Sequence, residues 1–269
     1  MSGGIELLAY GTAAVCGLMF VLWLIHLPLR NASVVDPGWA GGLALLAVVY
    51  AIGGGGDPLR SGMMAAMAGV WGLRLASYLL FTRVIGHPEE GRYVQLRRQW
   101  GGNLPLKFLL FFQFQAILCV VLSVPFLLPA LNRHPGLSVL EYSAAGLWAL
   151  ALLGETVADS QLRRFKADPA NRGKTCRVGL WRYSRHPNYF FEWLIWVSFA
   201  FFASASPYGY LAWSAPLLML YFLFRLTGIP ATEAQALRTK GEDYRRYQQT
   251  TSVFVPWFPR KPEAAEDPS

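Results

Sequence analysis

The stretch GLWRYSRHPNYFFEW, residues 179–193, gathers polar groups at the start of an apolar segment. Arg185 and His186 come first, and Asn188 and Glu192 follow with the i, i+4 spacing of one helical face. Cationic side chains beside the start of a helix are typical of a phosphate site, because the free N–H groups and the dipole of the helix favour an anion. The stretch therefore predicts a cofactor-binding site in which Arg185 and His186 face phosphates.

The loop before this stretch is strongly basic and contains Arg163, Arg164, Lys166, Arg172, Lys174 and Arg177. So much positive charge favours a ligand with several phosphates, such as a nucleotide cofactor, and anionic lipid headgroups are the simpler alternative. Ser184 is placed to cap a helix that begins near Pro187. No GxGxxG or P-loop pattern occurs between a strand and a helix, so a nucleotide site here would not be Rossmann-like.

Further ionisable residues interrupt the apolar segments. Glu155, Asp159 and Arg163 are spaced i, i+4, i+8 on one helical face, and Arg74 and Arg225 lie in two other apolar runs. An unpaired charge at the centre of a membrane helix costs at least ~2.5–3.5 kcal/mol, so such residues usually mark function. One interpretation is that these ionisable residues form ion pairs that hold helices together. We favour the other, in which they converge on a polar cavity open to the cytoplasm.

The composition is that of a membrane protein. Of the 269 residues, 54% are hydrophobic and 15% are charged, whereas a soluble domain carries about 25% charged residues. The net charge of +8 lies between apolar runs rather than along a soluble face, which argues against nucleic-acid binding. Cys16, Cys119 and Cys176 lack the spacing of a metal site or a disulfide framework, so no metal is expected.

Seven apolar segments approach the roughly 20 residues that span a membrane. They are 5–29, 39–56, 61–84, 105–129, 137–158, 188–205 and 208–229. The first lacks the basic flank of a signal peptide and is predicted to be a retained transmembrane helix. The predicted fold is therefore an all-α integral membrane protein with one seven-helix domain over residues 1–260 and a disordered tail at 261–269.

The distribution of positive charge predicts the orientation. Alternating connections place 21 of the 24 lysines and arginines on one side, and the other three are Arg60, Arg74 and Arg133. Positive charge marks the cytoplasmic side of a membrane protein. The N-terminus is therefore expected outside and the C-terminus in the cytoplasm.

Three stretches of the chain resemble the signature of the steroid 5-alpha-reductase family, especially its bacterial members. The resemblance rests on residues 179–192, on the ending GEDYRRYQQTTSVFVPWFP (241–259) and on Asp-Pro-Gly-Trp at 36–39. It covers most of the chain and is strongest from about Asp159 onward. The element at 185–187 is less specific, since sterol C14 and C24 reductases and isoprenylcysteine methyltransferases carry similar residues.

The resemblance implies a multi-pass reductase of the bacterial inner membrane, a monomer that uses NADPH to reduce the C4–C5 double bond of a 3-oxo-4-ene steroid or a similar enone lipid. A hydride would go to the β-carbon, an acidic side chain and a tyrosine would polarise the 3-oxo group, and solvent would protonate the α-carbon. Asp36, Arg74 and Tyr78 match the catalytic positions. A carboxyl group in an apolar pocket can stay protonated as a donor, but Asp36 could equally be a turn residue that caps the second helix.

The resemblance also implies a set of cofactor-binding positions. They are Asp159, Arg163, Lys166, Arg172, Arg177, Tyr183, Arg185, His186, Asn188, Glu192, Arg225 and Glu233. The phosphates of NADPH would lie at the basic loop, and the nicotinamide would reach inward past Asn188 and Glu192.

Three sites depart from the pattern of the family. A Gln-Glu pair expected after the first helix falls on Val35-Asp36, so Asp36 would act as a shorter carboxylate without an adjacent amide. A tyrosine expected after the last helix falls at Glu233, and a tyrosine expected one turn before Arg74 falls at Trp71. Tyr78 or Tyr93 would then supply the phenol.

Other classes of function remain open. A membrane methyltransferase of the isoprenylcysteine or phospholipid type, using S-adenosylmethionine, also carries an Arg-His-Pro element but has little use for eight basic residues between 159 and 187. A sterol alkene reductase would act on a different double bond. A non-enzymatic lipid-binding scaffold or transporter would use the polar pairs only to hold helices together.

Overall fold

A computed structural model describes residues 2–226 and 228–260, and over these residues the chain is helical, without strands. The predicted all-α fold is confirmed. The predicted tail at 261–269 lies outside the described residues. The helices are α1 (Ser2–Leu29), α2 (Val35–Gly53), α3 (Pro58–Leu79), α4 (Gly91–Trp100), α5 (Leu104–Leu122), α6 (Val124–Leu131), α7 (Val139–Ala167), α8 (Pro187–Ala203), α9 (Ser214–Tyr221), α10 (Ile229–Lys240) and α11 (Glu242–Thr250).

Two helices continue beyond their α-helical ends as π-helical turns. Leu80–Val84 extends α3 and Phe222–Leu226 extends α9. Short 3-10 turns precede α2, at Ala32–Val34, and α8, at Gly179–Arg182.

Five helical segments within the described residues are long and apolar enough to cross a membrane. They are Gly3–Leu29, Ala32–Gly53, Pro58–Val84, Leu104–Leu122 and Gly209–Lys240. The predicted count of seven and the predicted orientation are not confirmed. Helices do occupy the predicted segments 137–158 and 188–205, but α7 includes Glu141 and Glu155 and α8 has only 17 residues.

The helix boundaries follow local chemistry. Asp57 caps α3, since its Oδ1 accepts the N–H of Arg60 at 2.9 Å. Ser138 and Glu141 form a capping box at the start of α7: the N–H of Ser138 donates to Glu141 Oε2 at 2.7 Å, and the N–H of Glu141 donates to Ser138 Oγ at 3.4 Å.

The predicted segment 105–129 is divided at Ser123, because Pro125 lacks the N–H that would continue the helix.

Backbone contacts divide the described chain into two compact units. The first comprises the chain up to Ala145 together with Phe199–Ala215, and the second comprises Gly146–Ser198 together with the chain from Pro216. In the first unit α3 packs closely on α2, where a Cβ at Gly72 would lie 2.7 Å from the carbonyl oxygen of Ala40.

A buried ion pair joins the starts of α3 and α7 within the first unit. Arg60 Nε donates to Glu141 Oε1 at 2.5 Å, and both side chains are buried. The remaining Arg60 donors bond the backbone carbonyl oxygens of Asn132, His134 and Gly136. A buried charge pair is tolerated when its other donors and acceptors are satisfied in this way, so Arg60 fixes the turn that leads into α7.

The second unit has an aromatic core near its C-terminal end. Phe254 lies against Phe190 and Trp193 of α8, with ring centroids 5.6 and 5.9 Å apart, and against Phe224 at 5.2 Å. Leu223 and Ile229 are buried in the same cluster. This packing holds residues that are far apart in the chain around the start of α8.

Candidate functional site

Asp159 and Asn188, both predicted to contact a cofactor, meet in the second unit. Asn188 Nδ2 donates to Asp159 Oδ1 at 3.2 Å. Asp159 is buried on α7, which runs nine residues past the predicted segment, and Asn188 lies in the first turn of α8. The contact fixes the orientation of the carboxamide relative to the carboxylate.

Glu192 lies one helical turn after Asn188, as the i, i+4 spacing predicts. Its Oε1 accepts the indole N–H of Trp196 at 3.0 Å, and the side chain is buried. An amide and two carboxylates offer the donors and acceptors that ribose hydroxyls and a nicotinamide carboxamide require. The chemistry of these side chains therefore fits the uncharged part of a dinucleotide.

Arg185 and His186 contact Glu233, not an open phosphate site. Arg185 Nε donates to Glu233 Oε1 at 2.7 Å, and His186 Nε2 lies 3.2 Å from the same oxygen. Arg185 also donates to the carbonyl oxygens of Gln248, at 2.7 Å, and Thr251, at 3.2 Å. In this structure Arg185 and His186 therefore bond to groups within the second unit.

Glu233 is a common acceptor for several donors. Besides Arg185 and His186, Gln248 Nε2 donates to its Oε2 at 2.8 Å, and the phenol of Tyr244 lies 3.4 Å from Oε1. The resemblance implied Glu233 as a cofactor-binding position, at a place where the family has a tyrosine. Its partners lie up to 48 residues away in the chain, and no periodic pattern links them.

Ser184 contacts the residue directly before α8, and its predicted role as the cap of that helix stays a prediction. Its Oγ donates to the carbonyl oxygen of Phe254 at 2.7 Å and accepts the N–H of His186 at 3.1 Å. Tyr183 makes similar contacts: its carbonyl oxygen accepts the N–H of Trp257 at 2.9 Å, and its ring lies 6.0 Å from that of Phe258. Both residues attach the C-terminal segment to the turn before α8.

The basic loop of the second unit is open to solvent. The side chains predicted to hold phosphates are exposed at Arg163 and Lys166, which lie in the last turns of α7, and at Arg172 and Arg177 in the loop that follows; Arg225, predicted to contact the cofactor, is exposed in the π-helical turn after α9. Exposed guanidinium and ammonium groups are suited to phosphate oxygens, so this set of side chains also fits the charged part of a dinucleotide.

Asp243 holds part of this loop in place. The N–H of Thr175 donates to its Oδ2 at 2.7 Å, and Arg177 donates to its Oδ1 at 2.9 Å. Burial alone would raise the pKa of Asp243, but hydrogen bonding from Thr175 and the charge of Arg177 lower it below the ordinary value.

Asp36 pairs with residues of α4 in the first unit. Its Oδ1 accepts the phenol O–H of Tyr93 at 2.6 Å, and Oδ2 forms an ion pair with Arg92. Arg83 lies 3.9 Å from Oδ2. Burial and the charge of Asp36 raise the pKa of Tyr93 well above its ordinary value, so the phenol keeps its proton as a hydrogen-bond donor at neutral pH.

Neither sequence interpretation of Asp36 describes these contacts fully. Asp36 lies in the first turn of α2, but its side chain reaches α4 and does not cap α2. The sequence predicted no helix between the apolar segments 61–84 and 105–129, where α4 lies, although Tyr93 was named as an alternative phenol.

Arg74 and Tyr78 lie one turn apart in α3, and both are half-buried. Trp71, one turn earlier, is fully buried between Trp39 and Phe199, with ring centroids 6.3 and 5.9 Å apart. An indole therefore fills the aromatic core of the first unit where the family pattern has a tyrosine. The catalytic roles of Arg74 and Tyr78 stay predictions.

Aromatic rings adjoin Tyr93. Phe111 lies 6.0 Å from Tyr93 and 6.1 Å from Trp100, and Trp100 lies 5.0 Å from Phe108. His26 lies 5.3 Å from Phe108, and its Nδ1 is satisfied by the carbonyl oxygen of Trp23. These rings form a largely buried aromatic cluster around Tyr93.

Comparison with known proteins identifies similar chains of uncharacterized function. The family model "Protein of unknown function (DUF1295)" matches residues 22–251. An uncharacterized protein of Schizosaccharomyces pombe is 27% identical over 267 residues, which cover 88% of this chain and 76% of that protein. No solved structure matches the chain. The matched range includes Asp36, Tyr93, Asp159, Asn188 and Glu233.

Proposed function

Since the chain belongs to the family described as a protein of unknown function (DUF1295), we propose that it is an NADPH-dependent membrane reductase. Its substrate would be a 3-oxo-4-ene steroid, reduced at the C4–C5 double bond, or a similar enone lipid. The family includes membrane proteins that resemble steroid 5-alpha-reductases. The single observation that carries the proposal is the 2.6 Å hydrogen bond between the buried phenol of Tyr93 and Asp36.

This pair supports enone chemistry because the carbonyl oxygen of an enone gains negative charge when a hydride reaches the β-carbon. Neutral or cationic donors aimed at that oxygen lower the barrier, above all in a site from which water is excluded. Tyr93 and Arg92 are such donors, and Asp36 holds both. A substrate oxygen would take the place of one Asp36 oxygen as acceptor. In this proposal Tyr93 polarises the substrate carbonyl and Asp36 positions the phenol of Tyr93. Solvent supplies the proton for the α-carbon of the substrate.

The cofactor residues divide by chemistry. When bound, NADPH supplies the hydride. Asp159, Asn188 and Glu192 would bind its ribose and carboxamide groups, and the exposed basic residues from Arg163 to Arg177 would bind its phosphates. Arg185, His186 and Glu233 would hold the start of α8 in position instead of contacting phosphate.

We further propose that α7 and α8 also cross the membrane, which gives seven spans with the N-terminus outside and the C-terminus in the cytoplasm. Support comes from the charge count, with 21 of 24 basic residues on one side. Large apolar side chains are also exposed along α7, at Leu150, Leu153 and Val157. The proposed location is the bacterial inner membrane.

The test is the oxidation of NADPH by the protein purified in detergent, before and after addition of testosterone or progesterone. Tyr93→Phe should bind NADPH normally but lower turnover about 10²–10³-fold, the usual effect of removing one such donor. Tyr10→Phe, which removes an exposed phenol on α1, is the matched control. Unchanged turnover in Tyr93→Phe together with loss in Tyr78→Phe would transfer the role to Tyr78. Tight binding of S-adenosylmethionine without binding of NADPH would overturn the reductase proposal.

A further inference from the structure

The last described residues form a fixed element that the proposed reductase chemistry does not use. We name residues 251–260 the C-terminal arm. Hydrogen bonds of 2.8, 2.7 and 2.9 Å join the turn 183–185 to backbone groups of Ser252, Phe254 and Trp257. A further bond of 2.8 Å joins the N–H of Arg260 to the carbonyl oxygen of Thr250. The arm is therefore held against the second unit along its length.

Although it is fixed, the arm directs large apolar side chains outward. Val255, Trp257 and Phe258 are 53%, 69% and 76% exposed, whereas Phe254 is buried. Burying a side chain of this size is worth about 1.5–3 kcal/mol. Single exposed apolar residues are ordinary, but three within four positions of a rigid segment indicate an interaction surface.

The buried side of the arm packs against a segment that is suited to span the membrane. Phe254 contacts Phe224 with ring centroids 5.2 Å apart, and Phe224 belongs to the candidate span Gly209–Lys240. Leu217 and Tyr221 of the same span are exposed. Tryptophan is enriched at the boundary between hydrocarbon and water, where its ring lies among lipid headgroups. These contacts favour a location of the arm at that boundary.

A pocket of about 470 Å³ lies beside these aromatic rings. Its lining includes Arg185, Arg260 and the polar residues Gln248, Gln249 and Thr250. Arg185 is neutralised by Glu233, whereas Arg260 is exposed and forms no ion pair among residues 2–226 and 228–260. The pocket thus combines one uncompensated cation, polar groups and an aromatic rim.

We propose that this pocket binds the headgroup of one anionic phospholipid of the membrane that the chain spans. Arg260 contacts the phosphate, and Trp257 and Phe258 contact the glycerol and the first part of the acyl chains. Charge complementarity favours an anionic over a zwitterionic lipid, since a basic residue near a membrane surface contributes about 1 kcal/mol toward anionic lipid. This site is separate from the basic loop assigned to NADPH and does not depend on the reductase proposal.

The test measures lipid retained by the full-length protein. The protein is purified in detergent, mixed with equal amounts of the phospholipids POPG and POPC, and examined by native mass spectrometry. The wild type should retain POPG in preference to POPC. Arg260→Gln should lower the affinity for POPG about fivefold, the equivalent of one basic contact, and leave POPC unchanged. Arg133→Gln removes an exposed arginine elsewhere and is the matched control.

A second variant and a second measurement test the aromatic rim. Trp257→Ala combined with Phe258→Ala should weaken retention of both lipids, whereas Tyr208→Ala combined with Tyr210→Ala, which removes two exposed aromatic rings of the first unit, should not. If the double variant fails to fold, the retention measurement is replaced by quenching of tryptophan fluorescence by brominated phosphatidylcholine in nanodiscs. The wild type should then be quenched more strongly than Trp257→Phe.

Three results would overturn the proposal. The first is equal retention of POPG and POPC by the wild type, and the second is equal retention of POPG by the wild type and Arg260→Gln. The third is displacement of POPG by inorganic phosphate or by NADPH at comparable concentrations, which would assign the pocket to a soluble anion. Normal NADPH oxidation in Arg260→Gln would separate this site from the proposed active site.

Discussion

Glu233 illustrates how a single carboxylate can organise distant parts of a chain. It accepts from Arg185 of the turn before α8, lies within reach of His186, and accepts from Gln248 of α11. A hydrogen bond to a charged group contributes about 1.5–3 kcal/mol. The carboxylate thus supports the start of α8, where Asn188 is placed.

Glu233→Gln should therefore destabilise the protein by about 1.5–3 kcal/mol, because Arg185 would stay in its site without a countercharge. Thermal unfolding in detergent measures the effect. Glu242→Gln is the control, since among the described residues Glu242 pairs only with the exposed Arg245 and Arg246, and its loss should cost less than about 1 kcal/mol. Equal effects of the two substitutions would contradict the central role of Glu233.

Asp243 gives a pH-dependent prediction. Its pKa is lowered in the folded protein, so it contributes stability above its unfolded pKa of about 3.9, and this contribution is lost as the pH falls through the folded value. The stability difference between the wild type and Asp243→Asn should be constant above about pH 5 and should shrink in more acid solution. Unfolding midpoints measured across this range check the sign. If the stability difference between the wild type and Asp243→Asn grew on acidification, the pKa of Asp243 would be raised in the folded protein instead of lowered.

For single residues, the sequence predicted where the candidate site residues lie along the apolar segments. It did not predict all of the residues that they contact. Asn188 and Glu192 share a helical face because i, i+4 spacing dictates it. The contact between Tyr93 and Asp36 joins residues 57 positions apart, and Arg185 reaches Glu233 across 48. Such contacts depend on how helices pack, and local spacing carries no information about that.

The close packing of α2 and α3 depends on one glycine. A Cβ at Gly72 would lie 2.7 Å from the carbonyl oxygen of Ala40 and 3.0 Å from the Cβ of Ala44, whereas a Cβ at Gly69 would meet nothing within 4 Å. The two glycines lie in the same helix, so the effect of alanine on helix propensity is the same at both positions.

Gly72→Ala should destabilise the first unit by about 1–3 kcal/mol through overpacking, and Gly69→Ala should be neutral or stabilising by up to ~1 kcal/mol. Parallel thermal unfolding of both variants separates the clash from propensity. Equal stability of the two variants would contradict this prediction. It would mean that α2 and α3 can move apart with little loss of folding free energy.

The helices themselves were largely predictable. Long apolar runs between strong turn signals gave α1 and α3 to within a few residues. The run 105–129 was predicted as one helix because its hydrophobicity is continuous, but Pro125 divides it into α5 and α6. The capping box of Ser138 and Glu141 was present in the sequence as Ser-x-x-Glu and would have defined the start of α7.

For the whole molecule, the described chain divides into two compact units. The residues proposed for catalysis, Asp36 and Tyr93, belong to the first unit. Those proposed for the cofactor, Asp159, Asn188 and Glu192, belong to the second. Composition was sufficient to predict a helical membrane protein. It was not sufficient to confirm the number of spans, because α7 and α8 are near the limits of length and polarity for a membrane helix.

The proposed topology predicts that α7 and α8 each cross the membrane. Reporter fusions after Arg133, Arg172 and Tyr208 test this, since α7 lies between the first two positions and α8 between the last two. Alkaline phosphatase should be active after Arg133 and Tyr208, and green fluorescent protein should be fluorescent after Arg172. The same reporter signal at Arg133 and Arg172 would mean that α7 does not cross.

The ion pair between Arg60 and Glu141 also sets an order of events in time. The two residues are 81 positions apart, and a ribosome adds roughly 5–20 residues per second, so Glu141 is synthesised about 4–16 seconds after Arg60. Through that interval the guanidinium must be solvated by water or lipid phosphate. The start of α3 can reach its final enclosed state only after α4, α5 and α6 have been made, so the first unit is completed late in translation and not helix by helix.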